Sequence, residues 1–235
     1  MKGIYLVGGY PDREGFKRAA RVVAECGFDF LEVGIPFNDP VADGPVIAGA
    51  ALSVIEAGVT PEMIMEDIRS IRDLPLKKYV MTYANIVDAY GLDRFSKESE
   101  GLLSGVIIAD LPNRMRPALC GSGLSLPVIP FATLETREKD LELLSEAEGD
   151  FIYFIGLRGI TGARADFRDP DLVAKVREIR EACGKPIVIG FGIKDINDVW
   201  AALESGDGFV VGTEAVRRQD DPEALREYLV SLNPS

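Results

Sequence analysis

The chain has 235 residues, 47% of them apolar, which suits one large domain or two small ones with a sizeable core. Its formal net charge is −12, from 38 acids against 26 bases; this argues against nucleic acid or an anionic membrane as partner, because both demand a basic face. There is no histidine, so acid–base chemistry falls to carboxylates, Tyr, Lys or Cys, and a His-centred triad or a His-ligated metal is excluded.

The acidic balance leaves room for a small phosphate ester, which backbone N–H groups can hold without Lys or Arg. Cys26, Cys120 and Cys183 have no close spacing, so neither a disulfide framework nor a zinc pattern is expected, and a reducing compartment fits. Met1-Lys2 leads straight into a strand-like run, and no apolar stretch approaches the ~18 residues of a membrane span. The expectation is a cytoplasmic protein, residues 1–235 forming one domain.

In chain order, strands are predicted at GIYLVG from Gly3, FLEVG from Phe30, YVMTY from Tyr79, GVIIAD from Gly105, PVIPF from Pro127, FIYFI from Phe151, PIVIG from Pro186 and GFVVG from Gly208. Helical patterns alternate with them: DREGFKRAARVVAECG, TREKDLELLSEAEG, DPDLVAKVREIREACG and KDINDVWAALESG. Each carries a capping-type residue at or next to its opening, Asp12, Thr136, Asp169 and Asp195, and all four close on Gly. Eight strand–helix units at an even tempo predict an α/β fold, a closed (β/α)8 barrel, with a doubly wound open sheet as the alternative. The longest intervals between strand starts, 49 and 35 residues, follow strands 2 and 6. Extra chain there lies at the C-terminal rim, where barrel active sites are built. PVIAGAALSVIEAG and PEMIMEDIRSIRD predict an added helix in the first excess.

Strand 2 carries an acid inside an apolar run. Alternation puts Leu31, Val33 and Ile35 toward the helix layer and Phe30, Glu32 and Gly34 toward the barrel interior. A carboxylate there loses hydration, so its pKa should rise unless a cation pairs with it, leaving an acid able to donate near neutral pH. The alternative is a structural acid bonded to a lysine or to backbone. Asp43 lies in ADGP, which is also ordinary turn chemistry; its place in the longest rim insertion, after the strand of Glu32, marks it as a candidate.

GITGAR (159–164), GFGI (190–193) and VGT (211–213) fall after strands 6, 7 and 8, and the last opens a helix, TEAVRR. Each is compatible with a simple turn; three converging on one rim favour a phosphate site. Tyr5, Tyr83, Tyr153 and Phe191 lie near strand ends, either filling core or stacking a planar substrate.

LEVGIPFNDPVADGP, MTYAN at 81–85, ADLP at 109–112 and these three glycine blocks, in this order, resemble the signatures of the tryptophan synthase alpha subunit family over nearly the whole chain. The resemblance implies a (β/α)8 barrel lyase that cleaves indole-3-glycerol phosphate to indole and glyceraldehyde 3-phosphate, with no cofactor or metal of its own. It implies Glu32 as the acid–base group, Asp43 as the carboxylate that stabilises charge on the indole nitrogen, and Tyr153 beside the acid. Thr161 would close over the substrate and order Asp43. Tyr5, where the family usually has Phe, and Tyr83, Asp110 and Phe191 would form the ring pocket; Gly162, Gly192, Gly212 and Thr213 would cradle the phosphate. A pyridoxal-phosphate beta subunit is the implied partner, in an α2β2 assembly, touched by Asp39 and Pro40. Two departures stand out. The usual helix before strand 1 is missing, and Pro130 stands in strand 5, where local pairing is in question. Rival readings are another phosphate-binding barrel enzyme and a non-catalytic subunit that only activates a partner.

Overall fold

The computed structural model describes residues 1–40, 43–156 and 166–233. Their eight strands run β1 (Lys2–Val7), β2 (Phe30–Gly34), β3 (Lys77–Thr82), β4 (Gly105–Ile108), β5 (Phe131–Thr133), β6 (Ile152–Ile155), β7 (Ile187–Gly190) and β8 (Gly208–Val211). All pairings are parallel, in the order β4-β3-β2-β1-β8-β7-β6-β5, and a single bridge, Val106 to Val128, joins β4 to the segment leading into β5. The sheet therefore closes into the expected barrel.

Helices fill the connections: α1 (Arg13–Glu25), α2 (Pro45–Glu56), α3 (Pro61–Ser70), α4 (Ala84–Tyr90), α5 (Leu92–Ser99), α6 (Arg116–Gly121), α7 (Glu138–Ser145), α8 (Pro170–Cys183), α9 (Ile196–Ser205), α10 (Thr213–Val216) and α11 (Pro222–Ser231). Local chemistry sets several of their ends. Asp12 accepts from Gly15 N at 2.7 Å and starts α1, whose Phe16, Ala19, Ala20 and Val23 form a buried stripe at helical spacing. Thr60 and Asp221 cap α3 and α11, each followed by a proline at the first helical position. Gly184 closes α8 in the left-handed conformation, φ 64°. The expected caps Asp169 and Asp195 hold α8 and α9. Thr136 does not cap α7: its hydroxyl turns back to accept from Thr133 N, and Asp140 accepts from Arg137 N instead.

Period-two alternation splits the core into two layers. Ile4, Leu6, Leu31, Val33 and Val80 face the helices. Tyr5, Val7, Phe30, Tyr79, Ile107, Phe151, Tyr153, Val188 and Val210 fill the barrel. Phe30, Tyr79 and Phe151 pack ring to ring, with centroids 5.3–5.6 Å apart. Met1 O accepts from Phe209 N at 2.9 Å, and Met1 packs against the inner layer.

The fifth strand corrects the sequence reading. PVIPF was expected to pair from Pro127, but regular pairing starts only at Phe131. Pro130 has no N–H to give; its carbonyl still accepts from Tyr153 N at 2.9 Å, so the segment bonds toward β6 while the β4 side lapses after Ile129.

Candidate active site

The C-terminal ends of the strands open into a cavity of about 280 Å³. Tyr5, Met81, Tyr153 and Val210 wall it from the barrel, Asp43, Pro45 and Ile47 from the loop and helix after β2, and Phe191, Gly192, Gly212 and Thr213 from the loops after β7 and β8.

Glu32 is fully buried and faces inward, flanked across the sheet by Tyr5 and Tyr79. Neither carboxyl oxygen has a hydrogen-bond partner among the described residues. The neighbouring cation, Lys78, points the other way and donates to the carbonyls of Leu74 and Leu76 at 3.0 Å. The alternative of a structural acid tied to lysine or backbone is therefore not what is seen. Desolvation alone pushes the Glu32 carboxyl up to about 8, so it holds its proton at neutral pH.

Asp43 is half-buried on the cavity wall. Burial pushes its carboxyl up, and a hydrogen bond from Tyr83 pulls it down. Tyr83 is itself buried, its ring 4.7 Å from that of Phe37. It stands behind Asp43 and outside the cavity lining. The two acids thus occupy different environments: one dry and unpaired, one bonded and at the edge.

Glycines let the aromatic wall form. A Cβ on Gly34 would lie 2.1 Å from Tyr5 Oη, and one on Gly190 would lie 2.1 Å from Tyr153 Cε1. Both phenols are raised well above the usual tyrosine value, chiefly by burial and then by nearby carboxylates, Asp43 and Glu32 for Tyr5 and Glu32 for Tyr153. Phe191 has φ 74°, a left-handed conformation rare for a bulky residue, followed by Gly192 at φ 86°. That turn carries the Phe191 ring to 6.1 Å from Tyr153, edge to face.

Of the residues singled out from sequence, Tyr5, Asp43, Tyr153, Phe191, Gly192, Gly212 and Thr213 meet at this cavity, with Glu32 beside its wall. Asp110 does not line it. It is exposed, and its Oδ1 accepts from Ala84 N at 2.8 Å, which makes it a cap for the start of α4. Asp39 and Pro40 lie on the loop after β2, Asp39 exposed and Pro40 half-buried. Thr161 and Gly162 fall outside the described residues. Sequence reasoning missed Lys194, Glu214 and Arg217, which also line the cavity. The signal for them was faint: a lysine next to GFGI and the charged run of TEAVRR.

A parallel barrel with a ring-lined cavity at the C-terminal ends of its strands, one carboxyl on the cavity wall and a buried acid beside it has the architecture of the (β/α)8 enzymes. Residues 4–232 match the family described as tryptophan synthase alpha chain. The alpha chain of Staphylococcus carnosus is 34% identical over 235 residues, 97% of this chain and 92% of that one. That of Aquifex aeolicus is 35% identical over 220 residues, 91% and 83% of the two chains. Among solved structures, the Campylobacter jejuni alpha subunit superposes with a TM-score of 0.87 at 27% identity, covering 99% of this chain and 95% of that one. The Mycobacterium tuberculosis tryptophan synthase gives a TM-score of 0.87 at 28% identity, covering 98% and 90%. The chain belongs to the tryptophan synthase alpha chain family, lyases that cleave indole-3-glycerol phosphate to indole and glyceraldehyde 3-phosphate in tryptophan biosynthesis. The family's alpha chain needs no cofactor of its own.

Proposed function

We propose that Glu32 carries the proton chemistry of this cleavage. As a neutral acid it gives its proton to the indole carbon that bears the glycerol chain. As the resulting carboxylate it takes the proton of the glycerol hydroxyl, while the C–C bond breaks and the carbonyl of glyceraldehyde 3-phosphate forms. Glu32 ends protonated, ready for another turnover. Asp43, hydrogen-bonded by Tyr83, acts as the carboxylate that balances the positive charge appearing on the indole nitrogen. Tyr5, Tyr153 and Phe191 hold the ring. Gly162, Gly192, Gly212 and Thr213 hold the phosphate through backbone N–H groups, and Thr161 closes the site and orders Asp43. The observation that carries this reading is the fully buried carboxyl of Glu32, without a hydrogen-bond partner among the described residues, beside a cavity lined by Asp43.

The whole chain acts as one barrel domain in the cytoplasm. We assign the chain, as a member of this family, a pyridoxal-phosphate beta subunit as partner, in an α2β2 assembly, touching Asp39 and Pro40.

The test is indole release from indole-3-glycerol phosphate, with and without a beta subunit. Glu32→Gln should lower kcat by 10²-fold or more, as expected for loss of a general acid–base, with substrate binding largely retained. Equal rates in the two proteins would remove Glu32 from the mechanism. If the wild type released no indole even with the partner present, the chain would be an activating subunit only. In the wild type, kcat/KM should fall as pH rises through about 8, where Glu32 loses its proton in the free enzyme.

A further inference from the structure

The chain as a whole repels anions, with 38 acids against 26 bases. The cavity read above as the phosphate end nonetheless has two cations on its lining, Lys194 and Arg217. They are not equivalent. Arg217 Nε lies 3.5 Å from Glu214 Oε1, and Arg218 Nη1 lies 2.8 Å from Glu214 Oε2. Arg217 thus already has a carboxylate to answer its charge, though it shares that acid with Arg218.

Lys194 has no ion pair among the described residues. The acids next to it are committed elsewhere. Asp195 Oδ1 accepts from the backbone N–H of Asn197 and Asp198 at 2.8 and 3.2 Å. Asp198 Oδ2 accepts from Lys194 N at 2.9 Å, and Tyr228 donates to Lys194 O at 2.9 Å. The backbone of Lys194 is therefore tied at both its N–H and its carbonyl, while its side chain is exposed and carries an unanswered charge. It sits two residues after Gly192 and immediately before the cap of α9.

We propose that Lys194 is a substrate-binding residue whose ammonium group pairs with the phosphate of the bound ester and so sets the cavity's preference for a phosphate over an uncharged analogue. This rests on the phosphate reading of the cavity. It differs from a purely backbone cradle in predicting a side-chain charge that salt can screen. A charge-assisted contact of this kind, half open to water, is expected to change affinity by about tenfold.

The experiment compares wild type, Lys194→Gln and Lys194→Arg with two readouts: kcat and KM for indole-3-glycerol phosphate, and competitive inhibition by glycerol 3-phosphate at low and high ionic strength. Lys194→Gln should raise KM and the inhibition constant about tenfold, leave kcat within twofold, and flatten the salt dependence. Lys194→Arg should restore most of the affinity. Thermal unfolding should be alike in all three, since the side chain is exposed. An inhibition constant and salt dependence in Lys194→Gln equal to wild type would overturn the assignment while leaving the phosphate reading intact. Failure of glycerol 3-phosphate to inhibit the wild type would instead remove the phosphate reading itself, and this inference with it.

Discussion

Burying the Glu32 carboxyl with no hydrogen-bond partner among the described residues has a cost in stability that depends on pH. In the unfolded chain its carboxyl titrates near the ordinary value of 4.5, and in the barrel near 8. Between those two values the native state holds a proton that the unfolded state has released. Folding stability therefore drops as pH rises across that window, by up to about 1.4 kcal/mol per pH unit from this group alone. Below pH 4.5 both states are protonated and the cost vanishes. Glutamine cannot ionise, so Glu32→Gln should lack this component. Denaturant unfolding of wild type and variant from pH 4 to 9 would give two curves whose difference grows in favour of the variant as pH rises. Taking the difference cancels Asp43 and the other acids common to both chains. Curves that stay parallel would mean that Glu32 ionises freely in the native state and is not a poised acid at neutral pH.

At the scale of elements, the site is made where strands end on glycine. Gly190 ends β7, and the Tyr153 ring occupies the space a methyl group would take, with a Cβ contact of 2.1 Å. Gly190→Ala must push that ring toward Glu32 or out of the cavity. We expect kcat/KM for indole release to fall at least tenfold with an unchanged far-ultraviolet circular dichroism spectrum, and stability to fall by about 1–3 kcal/mol from overpacking. Full activity in the variant would remove Tyr153 from the site. Such contacts join β6 to β7 and are tertiary, so no sequence pattern displays them. What was legible was local. The apolar runs named the eight strands, and alternation along β2 gave the inward face of Glu32. Strong caps such as Asp195 gave helix starts. The short helices α4 and α5 were not read, because Gly91 at φ 87° divides them and each spans only two turns. The Asp221-Pro222-Glu223 opening of α11 is a cap signature carried by the sequence itself. Asp110 resembled a pocket residue in its motif, yet its carboxylate turns to the Ala84 amide. Lys194 and Arg217 are not legible in the sequence, because the glycine blocks point to backbone contacts and only the fold brings the ends of β7 and β8 together.

For the whole molecule, closure is uneven. From β1 to β2 five residue pairs are in register, whereas β4 meets the β5 segment through one bridge. Its two hydrogen bonds, Val106 N to Pro127 O at 2.8 Å and Ile129 N to Val106 O at 2.9 Å, are the stitching at that point of the wall. Beyond them Pro130 ends the ladder, and Phe131–Thr133 pair only toward β6. Local opening follows the number of cross-strand bonds that must break, so the barrel should open first along this seam. Native-state hydrogen exchange can read it. Amides in residues 131–133 should exchange at least tenfold faster than those in 31–33, which are bonded on both sides. The glycine-ended mouth at β7 and β8 lies across the barrel from the seam, with both of those strands paired on each side. Opening at β5 should thus leave the proposed phosphate end standing, and glycerol 3-phosphate should slow exchange around residues 190–194 and 211–214 far more than at 131–133. Equal protection of the seam and of β2 would show that side-chain packing of the inner layer, and not the hydrogen-bond ladder, decides where this barrel yields.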